Sequence, residues 1–212
     1  GKSALLAADY QEILLNCLAL LLQPFADNEK TKDEPNYHDA FMPVLEEDQK
    51  PFLACVIANV LQLADQSPYR AVQIQALVAL TNLIKSIINY NGHEVLRQFL
   101  PGITENLLGI LRGDFKRGSK VFKLAADLWY ILLNALFNDN QVDYKNKQNN
   151  AESGETSKDA LWVSDSVSKL LVAFSKIFQT LGGMDQQLHW KRVEILSSWA
   201  GNLLISCGNV FY

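Results

Sequence analysis

The sequence is poor in the side chains that disulfide scaffolds, metal sites and nucleophilic catalysis require. It has three cysteines and three histidines in 212 residues, with no CxxC pair and no His-x-x-x-His spacing. Cys17, Cys55 and Cys207 lie on apolar faces of predicted helices, so we interpret them as buried structural thiols. The sequence also shows no paired carboxylates or Ser-His combination suited to acid–base or nucleophilic chemistry. We therefore predict no catalytic residue, no metal site and no cofactor.

The sequence also lacks an excess of positive charge and a long apolar run. Lys and Arg number 19 against 23 Asp and Glu, which gives a net charge of −4, whereas nucleic-acid binding requires a basic surface. The longest apolar stretch, Ile13 to Leu22, is interrupted by Asn16 and is too short to cross a bilayer. No signal peptide is recognisable. We predict no direct nucleic-acid or membrane partner, and a cytoplasmic location with the nucleus as a second compartment.

What the sequence does contain is an internal repeat. Asp114 lies 49 residues after Asp65 (114 − 65), and an apolar ladder behind Asp65 recurs at the same offset behind Asp114. The two ladders are Val72, Ala76, Leu80, Leu83 and Ile87, and Val121, Ala125, Trp129, Leu132 and Leu136. Steps of three or four residues follow one face of an α-helix, and ladders that recur behind a fixed turn are typical of stacked helix pairs. The sequence thus predicts an all-α, HEAT-like α-solenoid of stacked antiparallel helix pairs.

Apolar periodicity also places the helices. We expect Pro24 to end the first helix, and Leu100-Pro101 to open the fourth. The expected segments are 4–22, 52–64, 68–90, 100–111, 118–137, 161–181 and 186–206. A third ladder in the last segment is expected at Val193, Ser197 and Leu204, although its turn residue, Asp185, falls one place out of this register.

Two polar stretches interrupt the helices. Residues 27–50 are predominantly acidic and are predicted to form a polar mobile loop. Residues 138–160 contain no Leu, Ile, Phe or Trp and are predicted to be a disordered insertion. The chain starts without Met and stops straight after an apolar stretch. We therefore expect residues 1–212 to be a single α-solenoid segment of a longer protein.

Three stretches resemble a known family of scaffold proteins. They are Phe99 to Ile103 with Gly113 to Lys116 and Trp129; Leu161-Trp162 at a helix start; and His189 to Val193 with Leu203, Leu204 and Cys207. Across residues 52–208, these positions are similar to the scaffold subunit of the Triple T co-chaperone complex, the Tel-two-interacting protein one family. The resemblance implies a large all-helical scaffold that joins two sister subunits. It also implies work with the Hsp90 system in stabilising and assembling phosphatidylinositol-3-kinase-related kinases.

We expect this chain to be a protein-binding scaffold segment and not an enzyme. The partners that the resemblance implies are the other subunits of a Triple T-type complex, Hsp90-linked co-chaperones and phosphatidylinositol-3-kinase-related kinases. Another HEAT-repeat scaffold, such as a karyopherin-type nuclear transport receptor, is the alternative within the same class of protein. A helical enzyme is the alternative from a different class.

One turn is the candidate contact with a partner. Lys116, Arg117 and Lys120 place three positive charges within five residues, between Arg112 and Lys123. Such a cluster can bind an acidic segment or a phosphorylated tail, although a basic turn is more often simply solvated. We predict that Lys116, Arg117 and Lys120 are the partner-binding residues.

Overall fold

The computed structural model describes residues 2–27, 41–113, 118–139, 158–182 and 190–211. Within these ranges the chain forms seven α-helices and one 3-10 helix and contains no strand. The helices are α1 (Lys2–Asp27), the 3-10 helix η1 (Met42–Leu45), α2 (Lys50–Gln66), α3 (Arg70–Asn89), α4 (His93–Arg112), α5 (Ser119–Phe137), α6 (Lys158–Gly182) and α7 (Trp190–Phe211). The all-helical prediction is confirmed. The chain divides into two compact units, residues 1–132 and 133–212.

Both predicted ladders are buried. Every ladder residue in α3 and α5 is at most 4% exposed. Ala76 and Ala125, which occupy equivalent places in the two ladders, are completely inaccessible to solvent. A methyl side chain at these places leaves room for a close helix–helix approach, and a larger side chain would force the helices apart.

Helix α3 is the central helix of the first unit, because α1, α2 and α4 all pack against it. By length and composition it is also the one helix in the described ranges that could cross a membrane, with a mean hydropathy of 1.5. However, 56% of that stretch is buried inside the protein. Its apolar composition is therefore explained by its place in the core.

Polar side chains on the face of α3 that meets α1 donate hydrogen bonds to the backbone of α1. Asn82 donates to the carbonyl of Ala19 (2.8 Å), and Asn89 donates to those of Phe25 (2.9 Å) and Ala26 (2.8 Å). The one hydroxyl proton of Ser86 is shared between the carbonyl of Asn82 in its own helix (2.7 Å) and that of Leu22 in α1 (3.3 Å). The donors are spaced four and three residues apart, so they follow one face of α3. Asn89 also satisfies two carbonyls in the last turn of α1 that lack a partner within their own helix.

The expectation that Pro24 ends the first helix is wrong, because α1 continues three residues past it. Proline has no N–H to donate and its ring disturbs the preceding turn. Two tertiary contacts hold the last turn in place nevertheless. Asn89 donates to its carbonyls, and the ring of Phe25 packs against the rings of Phe41 (5.2 Å) and Tyr90 (6.1 Å).

The expectation that Leu100-Pro101 opens a helix is also wrong. Helix α4 begins at His93, eight residues before Pro101. The added turns bury Val95 and Leu96. Burying one such side chain stabilises by about 1.5–3 kcal/mol, and a proline in a helix interior costs about 3 kcal/mol. The extra burial therefore offsets the cost of the proline.

Asn91 and Gly92 form the C-terminal cap of α3, next to the boundary at residue 90 that the sequence predicts. Asn91 adopts a left-handed conformation with φ of 59°. The N–H of Gly92 donates to the carbonyl of Ile87 (2.8 Å) and that of Asn91 to Ile88 (3.0 Å), the bonding pattern of a Schellman motif. A Cβ on Gly92 would lie 2.5 Å from a methyl of Ile87, so the position requires glycine.

An aromatic cluster forms part of the core of the second unit. Phe137 stacks on Trp162, with ring centroids 5.4 Å apart and planes 9° apart. Phe174 meets the edge of Trp199 at 5.2 Å. Phe211 contacts both phenylalanines, at 5.8 Å from Phe137 and 5.5 Å from Phe174. The end of α5, α6 and the last turn of α7 are thus joined through aromatic side chains.

Asp139 bridges a break in α7. Cys207 has a non-helical φ of −133°. Beyond it, the N–H groups of Asn209 and Val210 donate to the Asp139 carboxylate at 3.1 and 3.2 Å. The Asp139 N–H donates to the carbonyl of Ser206 at 2.9 Å. One residue therefore satisfies backbone groups on both sides of the break, in the way that a cap does at a helix end.

The third ladder is one residue away from its predicted place. Val193 and Leu204 are 46% and 64% exposed, and Ser197 is exposed as well. The buried row consists of Arg192, Leu196, Trp199, Leu203 and Cys207. Arg192 and Leu203 follow Val121 and Leu132 by 71 residues (192 − 121 and 203 − 132). In the sequence, Asp185 follows Asp114 by the same 71 residues (185 − 114). The offset of this turn residue therefore gives the positions of the buried row, whereas the offset of 72 used for the expected ladder does not.

The predicted polar stretches fall mostly outside the described residues, which leave out 28–40 and 140–157. At their edges the boundaries change. Met42–Leu45 form η1, and the preceding Phe41 is only 3% exposed. Helix α6 begins at Lys158, so the second stretch is shorter than predicted at that end. The expectation of a single segment of a longer protein stays a prediction.

We predict that Asn89→Ala destabilises the protein by about 1–3 kcal/mol, because two partly buried carbonyls of α1 lose their donor. Chemical denaturation measures the change. Asn59→Ala is the matched control, since Asn59 is exposed and bonds only within its own helix, to the carbonyl and sulfur of Cys55. It should shift the free energy of unfolding by about 0.5 kcal/mol or less. Equal effects of the two substitutions would contradict the role given to Asn89.

Candidate interaction surfaces

The turn between α2 and α3 lies beside the turn between α4 and α5, the equivalent turn of the next helix pair. A Cβ on Gly118 would lie 3.0 Å from the Cζ of Arg70, and one on Gly109 would lie 3.8 Å from a carboxylate oxygen of Asp65. Arg70 begins α3 and Ser119 begins α5, at the 49-residue offset of the repeat (119 − 70). Equivalent turns therefore line up along one edge, as expected for stacked helix pairs.

The structure places one of the three predicted contact residues. Lys120 is exposed in the first turn of α5, whereas Lys116 and Arg117 lie outside the described residues. Lys123, their neighbour in the sequence, pairs with Asp127 one turn away, at 2.7 Å. Both partners are half-exposed or more, so this pair contributes only about 0.3–0.5 kcal/mol. The prediction of a binding turn at Lys116, Arg117 and Lys120 stays a prediction.

Arg70 adds a positive charge to the edge formed by the aligned turns, and the charge cluster in the sequence does not include it. It lies 46 residues before Lys116 in the chain (116 − 70), yet its guanidinium is next to Gly118. The repeat offset is the signal that could have found it, because it relates Arg70 to Ser119. Gly118 itself has φ of +81°, a left-handed conformation that favours glycine.

Metal binding and catalysis both depend on which side chains come together in the part of the chain that the structure describes. No group of three or more His, Cys, Asp or Glu residues in it could hold a metal ion. Helices α2 and α4 form a cavity of about 190 Å³, lined by Ala54, Ile57, Ala58, Leu61, Gln98, Phe99, Gly102, Ile103 and Asn106. None of these lining residues has an ionisable side chain. The cavity therefore supplies no general acid, base or nucleophile.

The expectation of buried cysteines holds only for Cys207. Burial raises the pKa of its thiol, a contact with the Ser206 hydroxyl at 3.4 Å lowers it, and the negative charge of Asp139 raises it further. Cys17 and Cys55 are exposed, so for them the expectation is wrong. Their helices are apolar on more than one face, and sequence periodicity alone does not say which face is covered.

Large apolar side chains are exposed in each of the two units. In the first unit most of them lie on α1: Tyr10, Ile13, Leu14, Leu20 and Leu21. In the second unit they lie on α6 and α7: Leu171, Val172, Phe178, Trp190, Val193, Leu204 and Ile205. Contiguous exposed apolar surface marks sites of protein–protein interaction in soluble proteins.

Stacked helix pairs, aligned turns and exposed apolar helix faces define an α-helical repeat protein of the solenoid class, a class built to present surfaces to other macromolecules. The chain belongs to the TTI1 family, since residues 33–211 match the family model of the TTI1 N-terminal TPR domain. It is 24% identical over 191 residues to the TELO2-interacting protein 1 homologs of Mus musculus and Homo sapiens. These alignments cover 81% of this chain and 17% of each relative, so the chain spans about a sixth of their length. No solved structure matches the chain.

The family description assigns the helix pairs to TPR repeats, whereas the sequence pattern suggests HEAT repeats. Both are antiparallel helix pairs that stack into α-solenoids, so the predicted fold class is confirmed. The 49-residue offset between the first two pairs is longer than a TPR repeat of about 34 residues and closer to a HEAT repeat of about 40–47.

We predict opposite effects of alanine at two glycines of the first unit. Gly118→Ala should destabilise by about 1–2 kcal/mol, because a Cβ is unfavourable in the left-handed conformation. Gly102→Ala, inside α4 with nothing within 4 Å of the new Cβ, should stabilise by about 0.4–1 kcal/mol. Denaturant titration of both variants tests this. A neutral or stabilising Gly118→Ala would show that the turn does not hold Gly118 in this conformation.

Proposed function

We propose that this chain is a protein-binding scaffold segment of a Triple T-type co-chaperone. The complex would act with the Hsp90 system in stabilising and assembling phosphatidylinositol-3-kinase-related kinases. The observation that carries the proposal is the family match over residues 33–211. The mouse and human relatives are TELO2-interacting proteins by name, and we extend that interaction to the longer protein to which this segment would belong. Hsp90-linked co-chaperones and the kinases are the further partners that the family resemblance implies.

The chemistry of the described residues supports binding as the task of this segment. The α2–α4 cavity has no ionisable lining residue, while large apolar side chains face solvent on α1, α6 and α7. A surface of this kind gains free energy when a partner removes it from water, at about 25 cal/mol per Å² of apolar area. The proposal therefore includes no enzymatic activity, cofactor, nucleic acid or membrane. It assigns the protein to the cytoplasm, with the nucleus as a second compartment.

The turn edge is the proposed polar contact. Lys116, Arg117 and Lys120 are close in sequence, and Arg70 adds a guanidinium beside Gly118. Positive charges gathered at one edge attract carboxylates or phosphates of a partner, and they act on the association rate more than on the final affinity. Exposed charges are screened beyond about 8 Å at physiological ionic strength. The contribution of this edge should therefore weaken as salt is added.

The test is co-purification of the tagged full-length protein, followed by mass spectrometry. We expect to recover a TELO2-type sister subunit and phosphatidylinositol-3-kinase-related kinases. Loss of the protein from cells should lower the abundance of these kinases. Recovery of neither the sister subunit nor a kinase, with kinase abundance unchanged, would contradict the proposal.

A charge-reversed form of the full-length protein tests the turn edge in the same assay. Lys116→Glu, Arg117→Glu and Lys120→Glu together should reduce recovery of at least one partner at low salt, with a smaller loss at physiological salt. The matched control is Lys116→Arg, Arg117→Lys and Lys120→Arg, which keeps all three positive charges at the same positions and should leave recovery unchanged. Normal recovery of every partner by the first variant at both salt concentrations would remove the turn edge from the proposal.

A further inference from the structure

Helix α1 has two apolar faces, and only one of them is covered in the first unit. The covered row is Ala8, Leu15, Ala19, Leu22 and Ala26, each at most 9% exposed. The exposed row, which we call the α1 face, is Tyr10, Ile13, Leu14, Cys17, Leu20, Leu21 and Pro24. At about 100° per residue, the α1 face occupies an arc of roughly 120° opposite the covered row. A helix that is apolar on opposite faces is expected to be buried on both.

The spacing of the α1 face matches a helix-packing seam. Tyr10, Leu14, Cys17, Leu21 and Pro24 follow steps of four, three, four and three residues. This is the period of about 3.5 with which one helix packs its side chains between those of a second helix. From Tyr10 to Pro24 the seam is about 21 Å long. Tyr10 and the two leucines of the seam are 67–71% exposed, so there is substantial apolar area to cover.

The charges along the α1 face are all negative. Asp9 and Asp27 border the arc on the same side, one near each end, and both are exposed. Glu12 lies farther round on that side and is half-exposed. No Lys or Arg occurs between Lys2 and Lys30. A partner that covers the apolar arc therefore meets an acidic border, and Lys or Arg beside its own apolar stripe would complement it.

We propose that the α1 face binds an amphipathic helix of another protein, with an apolar heptad seam flanked by Lys or Arg. A second copy of this chain fits less well. In an antiparallel pair, Asp9 of one copy would approach Asp27 of the other, and like charges brought together at an interface are unfavourable. An anionic membrane would likewise be repelled by the acidic border. The inference rests on the proposed scaffold function only in requiring a protein partner.

Two designed three-heptad peptides with the same leucine seam test the charge and shape of the site. One carries Lys and the other Glu beside the seam, and binding to the full-length protein is followed by fluorescence anisotropy at low salt. We expect the Lys peptide to bind more tightly than the Glu peptide. The variant Asp9→Lys, Asp27→Lys should invert this preference. Equal binding of the two peptides, or a preference that the variant leaves unchanged, would overturn the proposal.

Loss of the seam is tested with Leu14→Gln, Leu21→Gln. Removing two leucines from the interface should weaken binding of the Lys peptide roughly ten-fold or more. The matched control is Leu204→Gln, Ile205→Gln, because these two residues of α7 are similarly exposed, at 64% and 84%, against 69% and 71% for Leu14 and Leu21. The control should bind the Lys peptide normally. Equal losses in the two variants would show that the peptide adheres to apolar surface in general, and would overturn the proposal.

Alkylation of two exposed cysteines gives an independent measurement on the unmutated protein. Cys17 lies in the middle of the α1 face, whereas Cys55 is exposed on α2. In the free full-length protein both should react with iodoacetamide, and the bound Lys peptide should protect Cys17 alone. Protection of Cys17 in the free protein at low concentration would mean that another segment of the same protein covers the face. Protection that grows with protein concentration would mean that a second copy does, and either result overturns the proposal.

These tests separate the inference from the proposed function. Specific, charge-dependent binding of the Lys peptide, together with absence of the sister subunit and kinases from co-purification, would retain the α1 face and reject the Triple T assignment. Co-purification of the sister subunit and kinases, without charge-dependent binding of the Lys peptide, would retain the Triple T assignment and reject the proposed role of the α1 face.

Discussion

The structure of the first unit depends on the packing of α1, α2 and α4 around α3. Its ladder face is apolar and completely buried in places, and the neighbouring side that meets α1 carries Asn82, Ser86 and Asn89. Buried polar groups must find hydrogen-bond partners. The carbonyl groups of α1 provide them, so that α1 is held at a defined register and its last turn extends past Pro24. Hydrogen bonds to α1 and apolar contacts along the ladder together fix the positions of the helices around α3.

Much of this arrangement can be predicted from the sequence, and the failures have identifiable causes. The two ladders 49 residues apart are correct because a repeated helical period reports burial directly. Pro24 misleads because the contacts that hold the turn after it come from residues far away in the chain, Phe41, Asn89 and Tyr90. Pro101 misleads because the burial of Val95 and Leu96 offsets its cost, and the local sequence does not show that burial. The third ladder is misplaced because Arg192 occupies its first position. A charged residue is an unusual choice for a buried place, yet Arg192 is only 5% exposed.

The interaction surfaces are harder to predict than the fold. The clustering of charges in the sequence identifies Lys116, Arg117 and Lys120 as a candidate site. It does not identify Arg70, because only the stacking of the repeats places its guanidinium beside Gly118. The apolar row of α1 is evident in the sequence. The sequence does not show which face of α1 is covered and which is exposed, because α3 packs against only one side of this helix. Cys17 illustrates the difference, since it belongs to an apolar helix and yet faces solvent.

Amide hydrogen exchange of the protein, resolved by residue, tests most directly whether α3 is the helix on which the first unit depends. Exchange free energies approach that of global unfolding where structure opens only with the whole unit, and fall well below it where segments open locally. We predict that the amides from Ala76 to Ile84 are the slowest to exchange within residues 1–132, and that those of α1 exchange earlier through local opening. Amides of α3 that exchange as fast as those of α1 would contradict this account of the fold.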